Sequence, residues 1–270
     1  MTTDAATTPK PPLSRRALRN AQDSLTMLDR NLRHTRRSPD TMIMTLALPI
    51  MILLMFVYVF GGAMNAGEGA YIDYVVPGII LLCAGFGSST TAVSIAVDLS
   101  EGIVDRFRAM DIARSAVLTG HVAESVLRNL VTTGIVIVVA VALGFRPTAD
   151  PLRWLGAIAV IAMFVLALSW VAAALGLLAR NPEAANGFTF AFMFLPYVSS
   201  AFVPTESMPT ALHAFAENQP VTPVIETVRG LLMGTEIGNS ALLATAWCVG
   251  IAAAGYRAAR VLFQRRAATA

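Results

Sequence analysis

WLGAIAVIAMFVLALSWVAAALGLLA, residues 154–179, runs for 26 positions without one charged side chain. About 20 apolar residues in a helix cross the hydrocarbon core of a bilayer, so this stretch is long enough to span one. Five further apolar runs flank it, at 42–60, 74–97 and 130–145 before it and 187–203 and 241–256 after it. None of the six contains Asp, Glu, Lys, Arg or His. The pattern predicts an all-α polytopic membrane protein with six transmembrane helices.

The gaps between the runs alternate in basic residues. Of the 20 Lys and Arg residues, 17 fall before the first run, in the gaps 98–129 and 180–186, or after the last run. Only Arg146, Arg153 and Arg229 fall in the other three gaps. Basic residues resist translocation, so the rich side is cytoplasmic and both termini lie inside. The expected organisation is a cytoplasmic tail and amphipathic helix over 1–41, a transmembrane domain over 42–263 and a cytoplasmic tail over 264–270. Residues 1–41 are polar and Arg-rich, without the short apolar core of a cleavable signal peptide. The pI near 9.2 follows from this bias and needs no nucleic-acid partner. With 56% hydrophobic and 14% charged residues, little of the chain remains for a soluble domain.

Several chemistries are excluded. Lys10 is the only lysine, and it sits in TTPKPP, residues 7–12, which cannot form the glycine-rich turn of a phosphate-binding P-loop. Any ATP-driven step therefore belongs to another polypeptide. The charge-free runs argue against a proton-coupled carrier, which places costly ionisable groups near the midplane for a purpose. His34, His121 and His213 all fall outside the runs, so Ser88 and Ser89 lack a base within the membrane and read as small packing residues. Cys83 and Cys248 lie within runs and read as buried thiols, with no disulfide framework or metal-ligand spacing.

Two cytoplasmic segments are amphipathic. Leu18, Ala21, Leu25, Leu28 and Leu32 recur at helical spacing among arginines, and Pro39 closes the pattern. Such a helix lies in the inner headgroup region, either as an anchor alone or as an elbow that also touches an ATPase. In the gap 98–129, Ile103, Val104, Phe107 and Met110 share one helical face among charges of both signs. That helix suits docking into a partner's groove as well as a solvated surface.

GIVDRFRAMDIARSAVLTG, residues 102–120, resembles the stretch after the second span in permeases of the ABC type-2 exporter superfamily, especially the daunorubicin-resistance (DrrB-like) group. The resemblance is carried by Asp98 to Gly102, Asp105-Arg106-Phe107-Arg108, Ala113-Arg114 and Gly120, the last a small-residue break into the third span. The family often has Pro where this chain has Asp111. A second block resembles the superfamily's C-terminal pattern: Arg180-Asn181-Pro182, Phe202-Val203-Pro204, Met208-Pro209, Asn218-Gln219-Pro220 and Glu226-Thr227-Val228-Arg229-Gly230-Leu231-Leu232. The two blocks cover about 98–234.

The resemblance implies that Glu101, Gly102, Asp105, Arg106, Phe107, Arg108, Met110 and Arg114 form a coupling helix receiving the stroke of an ABC ATPase. It implies two ATPase chains, which bind ATP and Mg, and a second permease that is a copy or a paralogue. No cofactor is expected on this chain. The long outer gap 204–240 breaks into short helices at Pro209, Pro220, Pro223 and Gly234, and backbone of that kind enters the outer leaflet only where protein or water covers it. Pro204, Pro209, Pro220, Glu226, Arg229 and Gly230 are the candidates for an outer gate, with Glu226 and Arg229 spaced i,i+3 to pair on one helix face. Phe56, Phe86, Phe164, Phe188, Phe190, Phe192, Phe194 and Tyr197 suit an apolar or amphipathic cargo but equally face lipid. The family implies a drug, a polyketide-like metabolite or a lipid. The competing readings are an ion-coupled carrier and a membrane scaffold without transport.

Overall fold

A computed structural model describes residues 39–62, 70–101 and 114–269, and every regular element among them is helical. In order these are α1 (Pro39–Leu54, running on as a π-helical turn, Met55–Phe60), α2 (Tyr71–Ser100), α3 (Arg114–Ala142) and α4 (Pro151–Leu178). Then come α5 (Pro182–Phe190, tightening into a 3-10 helix, Ala191–Val198), a 3-10 turn (Thr205–Ser207), α6 (Thr210–Asn218), α7 (Val221–Met233) and α8 (Ser240–Thr269). Four helices are long and apolar enough to cross a membrane: Tyr71–Ser100, Val117–Ala142, Pro151–Leu178 and Ser240–Arg265. The amphipathic N-terminal stretch and residues 102–113 lie outside the described residues.

Local chemistry sets the ends of these helices. The Asp150 carboxylate accepts from the Arg153 N–H at 2.8 Å and caps α4, whose first residue is Pro151, where a missing N–H is harmless. Asn181 caps α5 in the same way through the Ala184 N–H at 2.8 Å. At the end of α3, the Phe145 N–H reaches the Ala140 carbonyl and the Gly144 N–H reaches that of Val141. This is a Schellman closure, and Gly144 supplies the positive φ of 115° it requires.

Helices α2 and α4 form the centre. α4 packs against α2, α3, α7 and α8, and α2 packs against α1, α3, α4 and α5. Small residues allow the close approaches: a Cβ on Gly176 of α4 would lie 2.5 Å from the Ala92 carbonyl oxygen of α2. Cys83 and Cys248 are buried free thiols, the packing role expected of them.

Three expectations need correction. The third apolar run, expected at 130–145, belongs to a helix that begins at Arg114 and passes through Gly120 without a break. It therefore carries His121, Glu124 and Arg128 into the candidate span, so the spans are not free of ionisable groups. The fifth run, 187–203, is not one α-helix: Pro196 donates no backbone hydrogen bond, and the chain winds as a 3-10 helix from Ala191 before turning at residues 199–203. Neither this segment nor the first apolar run, where the apolar helix is Leu46–Phe60, is among the four long candidates.

Candidate functional site

Residues 204–240 contain two short helices, Thr210–Asn218 and Val221–Met233, and Pro223, expected as a break, lies inside the second. Pro209 directly precedes the first, Pro220 directly precedes the second, and Pro204 precedes the 3-10 turn. Gly234 ends α7 in the left-handed region, at φ 76°. Gly230 is buried where the chain folds back, and a Cβ there would meet the Ile237 side chain at 2.4 Å.

Arg229 is the hub of this segment. Its Nη2 donates to the Ser200 carbonyl at 2.6 Å and to the Tyr74 carbonyl at 3.1 Å, and its Nε also reaches Tyr74 at 3.3 Å. The guanidinium carbon lies 3.9 Å from the centre of the Tyr74 ring, a cation–π contact. One half-buried side chain therefore holds α7, the start of α2 and the turn after the 3-10 helix together. Burial pulls the Arg229 guanidinium below its ordinary range, and Tyr74 and Glu226 oppose that shift.

The expected Glu226–Arg229 pair is not a direct ion pair. Arg229 turns inward to Tyr74 and Ser200, while the Glu226 carboxylate accepts from the Ser240 hydroxyl at 3.0 Å, at the start of α8. The i,i+3 spacing allows the pair, but inward carbonyls and a ring hold the guanidinium more firmly than a half-exposed carboxylate. Other bonds complete the outer assembly. The Tyr71 hydroxyl donates to the Phe202 carbonyl at 3.0 Å, and the Gln219 amide donates to those of Leu195 and Val198 at 3.2 and 3.0 Å. Phe202 also stacks on Phe56, at 4.3 Å between ring centres.

A second polar constellation was not anticipated. Arg128 on α3 donates through Nη1 to both carboxylate oxygens of Glu124, at 2.7 and 2.9 Å. Through Nη2 it crosses to α2, reaching the Gly87 carbonyl at 3.0 Å and the Thr90 and Thr91 hydroxyls at 2.6 and 3.3 Å. Toward the C-terminal end of α2 and the N-terminal end of α3, His121 Nε2 lies 3.1 Å from Asp98 Oδ2. Ser125 of α3 meets Ser169 of α4 at 2.8 Å, and Asn129 packs onto the bare Cα of Gly87, where a Cβ would lie 1.8 Å from its Oδ1. Arg128 is 14 residues from the last residue of α3, about 21 Å along the axis, which places the cluster in the N-terminal half of that helix.

A signal for this cluster exists in the sequence. Positions 121, 124, 125, 128, 129 and 132 are polar at spacings of one helical face, with valines and leucines between them. Reading the stretch by hydropathy alone turns it into a gap.

Of the coupling candidates, Glu101 lies at the end of α2, its N–H on the Val97 carbonyl. Arg114 opens α3. Gly102, Asp105, Arg106, Phe107, Arg108 and Met110 lie outside the described residues. Among the aromatic candidates, Phe164 and Phe56 are buried, whereas Phe188, Phe194 and Tyr197 are exposed on the surface of the chain. The side chains of Phe190 and Phe192 lie outside the described residues. Among the described residues, no three His, Cys, Asp or Glu side chains gather as a metal site.

Residues 22–233 match the ABC-2 type transporter family, a stretch that takes in the outer segment, the buried cluster and most of the helical core. The chain belongs to that family. This ABC-2 type protein is 31% identical over 213 residues to the daunorubicin resistance ABC transporter permease protein DrrB1 of Streptomyces coeruleorubidus, covering 78% of this chain and 75% of the relative. It is 27% identical over 246 residues to the probable doxorubicin resistance ABC transporter permease protein DrrC of Mycobacterium tuberculosis, covering 87% and 88%. An ABC-2 type protein with several apolar helices is a multi-pass membrane protein, and its family works with an ABC ATPase.

Proposed function

We propose that this chain is the permease subunit of an ATP-driven exporter of hydrophobic or amphipathic compounds, and that it lies in the cell membrane with both ends in the cytoplasm. The observation that carries the reading is the family match across 22–233, which joins the stretch beside the coupling candidates to the outer segment in one chain. The names of the two relatives support a drug-like cargo, and a polyketide-like metabolite or a lipid fits the same apolar surfaces. ATP and Mg bind the partner ATPase, and two permeases with two ATPases make the working assembly. The second permease is a copy of this chain or a paralogue.

On this reading α1 and α5 with its 3-10 extension join the four long helices to make six spans. The N-terminal stretch, 1–41, supplies the amphipathic elbow on this reading, and 101–114 dock on the ATPase. Residues 204–234 fold back into the outer leaflet and close the exit. The basic asymmetry of the gaps supports that orientation.

The buried Asp98, His121, Glu124 and Arg128 favour one alternative, since an ion-coupled carrier places such groups inside the membrane. Co-expression with its ATPase separates the two. The exporter reading expects the ATPase to co-purify with this chain and efflux to stop on ATP depletion. Efflux that survives ATP depletion and collapses with a protonophore contradicts it in favour of the carrier.

A further inference from the structure

The ionic cluster between α2 and α3 has a second property beyond its burial, which is its place in the chain. On α2, Gly87, Thr90, Thr91 and Asp98 lie along one face, and on α3 His121, Glu124, Ser125 and Arg128 lie along the face opposite. The two stripes descend together, over about 16 Å of α2 and about 10 Å of α3, toward residues 102–113, the segment that joins the two helices. Apolar side chains hold a helix pair in a membrane without fixing its rotation or its axial register. Hydrogen bonds aimed at named atoms fix both, and a charged group inside a bilayer is costly enough to need a reason. Arg128 makes bonds to the Gly87 carbonyl and the Thr90 hydroxyl that only one register of α2 against α3 satisfies. The other end of α2 carries Tyr74, whose carbonyl and ring are gripped by Arg229 of the outer segment. α2 spans 30 residues as one continuous helix with Pro77 inside it, and it joins the cytoplasmic connection to the outer cap.

We propose that Arg128 is a positioning residue for transport, a pin that locks α2 to α3 so that displacement of residues 102–113 moves the pair as one lever and reaches the outer segment through Tyr74 and Arg229. The proposal rests on the reading of 101–114 as the ATPase-docking segment and of 204–234 as the outer gate. Without the pin the two helices slip past each other, and ATP hydrolysis proceeds without moving the exit.

The test needs no known cargo. Ser207 is exposed in the outer segment, and in a Cys83→Ala, Cys248→Ala background the Ser207→Cys variant reports its accessibility to an impermeant maleimide. Membranes containing the chain and its ATPase are labelled with and without a non-hydrolysable ATP analogue. The probe is compared with and without the exchange Glu124→Arg, Arg128→Glu. The exchange keeps an i,i+4 ion pair on α3 and its net charge but moves the guanidinium one turn away from Gly87 and Thr90. The unexchanged protein is expected to change its labelling rate about fivefold on nucleotide binding, the scale of a modest coupling between distant sites. The exchanged protein is expected to lose that response while retaining its ATPase and ATP hydrolysis.

A merely structural pair predicts an intact response, because the ion pair survives the exchange, and that result overturns the pin. If the exchange variant does not insert, Thr90→Val decides. It leaves Arg128 and Glu124 in place and removes the shortest bond to α2, so a full response in that variant overturns the pin and a reduced one supports it. A nucleotide response absent from the unexchanged protein refutes the gate reading and, with it, the proposal that rests on it.

Discussion

Replacing Arg229 by Met keeps a long apolar side chain and removes the guanidinium that holds the outer segment to α2. The bond to the Ser200 carbonyl, at 2.6 Å the shortest Arg229 makes, belongs to a class contributing about 1.5–3 kcal/mol. The desolvated cation–π contact with Tyr74 adds about 1–2 kcal/mol. Returning a buried charge to no charge relieves part of its desolvation, which leaves a net loss of about 3 kcal/mol, or about a hundredfold in the balance between docked and undocked segment. Four long helices do not depend on that contact, so insertion and ATPase retention are expected to persist. Limited proteolysis from the outer face should cut within 204–234, and export should fall while ATP hydrolysis continues. Arg229→Lys keeps the charge but cannot bond Ser200 and Tyr74 in one plane while lying over the ring, so it should recover only part of the export. The Glu226→Ala change loses one bond to Ser240 and should have a smaller effect, about 1 kcal/mol. In the double variant the two effects should depart from additivity, since the Glu226 charge acts on Arg229 three residues away without pairing with it directly. Wild-type export and protease resistance in Arg229→Met would show that the guanidinium does not hold the segment to α2.

Changing Arg106 and Arg108 together to Glu should release the ATPase from the membrane without loss of the inserted chain, measured by co-purification; unchanged retention would remove those residues from docking. Gly176→Val should abolish accumulation of folded protein, because its Cβ meets the Ala92 backbone at 2.5 Å, whereas Gly85→Ala, with nothing within 4 Å, should leave thermal stability unchanged. Cysteines at Ser207 and Asn239 should react with an impermeant thiol reagent in intact cells and one at Ser100 should not; the opposite pattern would invert the proposed orientation.

The long helices were legible because bilayer crossing demands uninterrupted apolar length, and 154–179 meets it without ambiguity beside the observed Pro151–Leu178. The short helices of 204–234 were legible from Pro209, Pro220 and Gly234, which stand at their ends, although Pro223 is accommodated inside α7. The start of α3 was hidden for the opposite reason. Hydropathy averages over all faces, so His121, Glu124 and Arg128 on one face outweighed Val117, Leu118 and Val122 between them. Partners on α2 and α4, with the Glu124–Arg128 pair itself, make that polar face tolerable inside a span. The same limit applies to Arg229. Its spacing from Glu226 is local and visible, but its real partners, Tyr74 and Ser200, are 155 and 29 positions away. The tightening of α5 at Ala191 follows from Pro196, though its apolar neighbours resemble those of any span.

Export by this chain is expected only when an ABC ATPase drives it. The direct measurement is reconstitution of the chain with its ATPase in proteoliposomes, following the flux of a fluorescent amphipathic compound together with ATP hydrolysis. Flux should require ATP, the ATPase and this chain together, and should vanish when the ATPase is left out or hydrolysis is blocked. Flux by this chain alone, driven by an ion gradient without nucleotide, would contradict it.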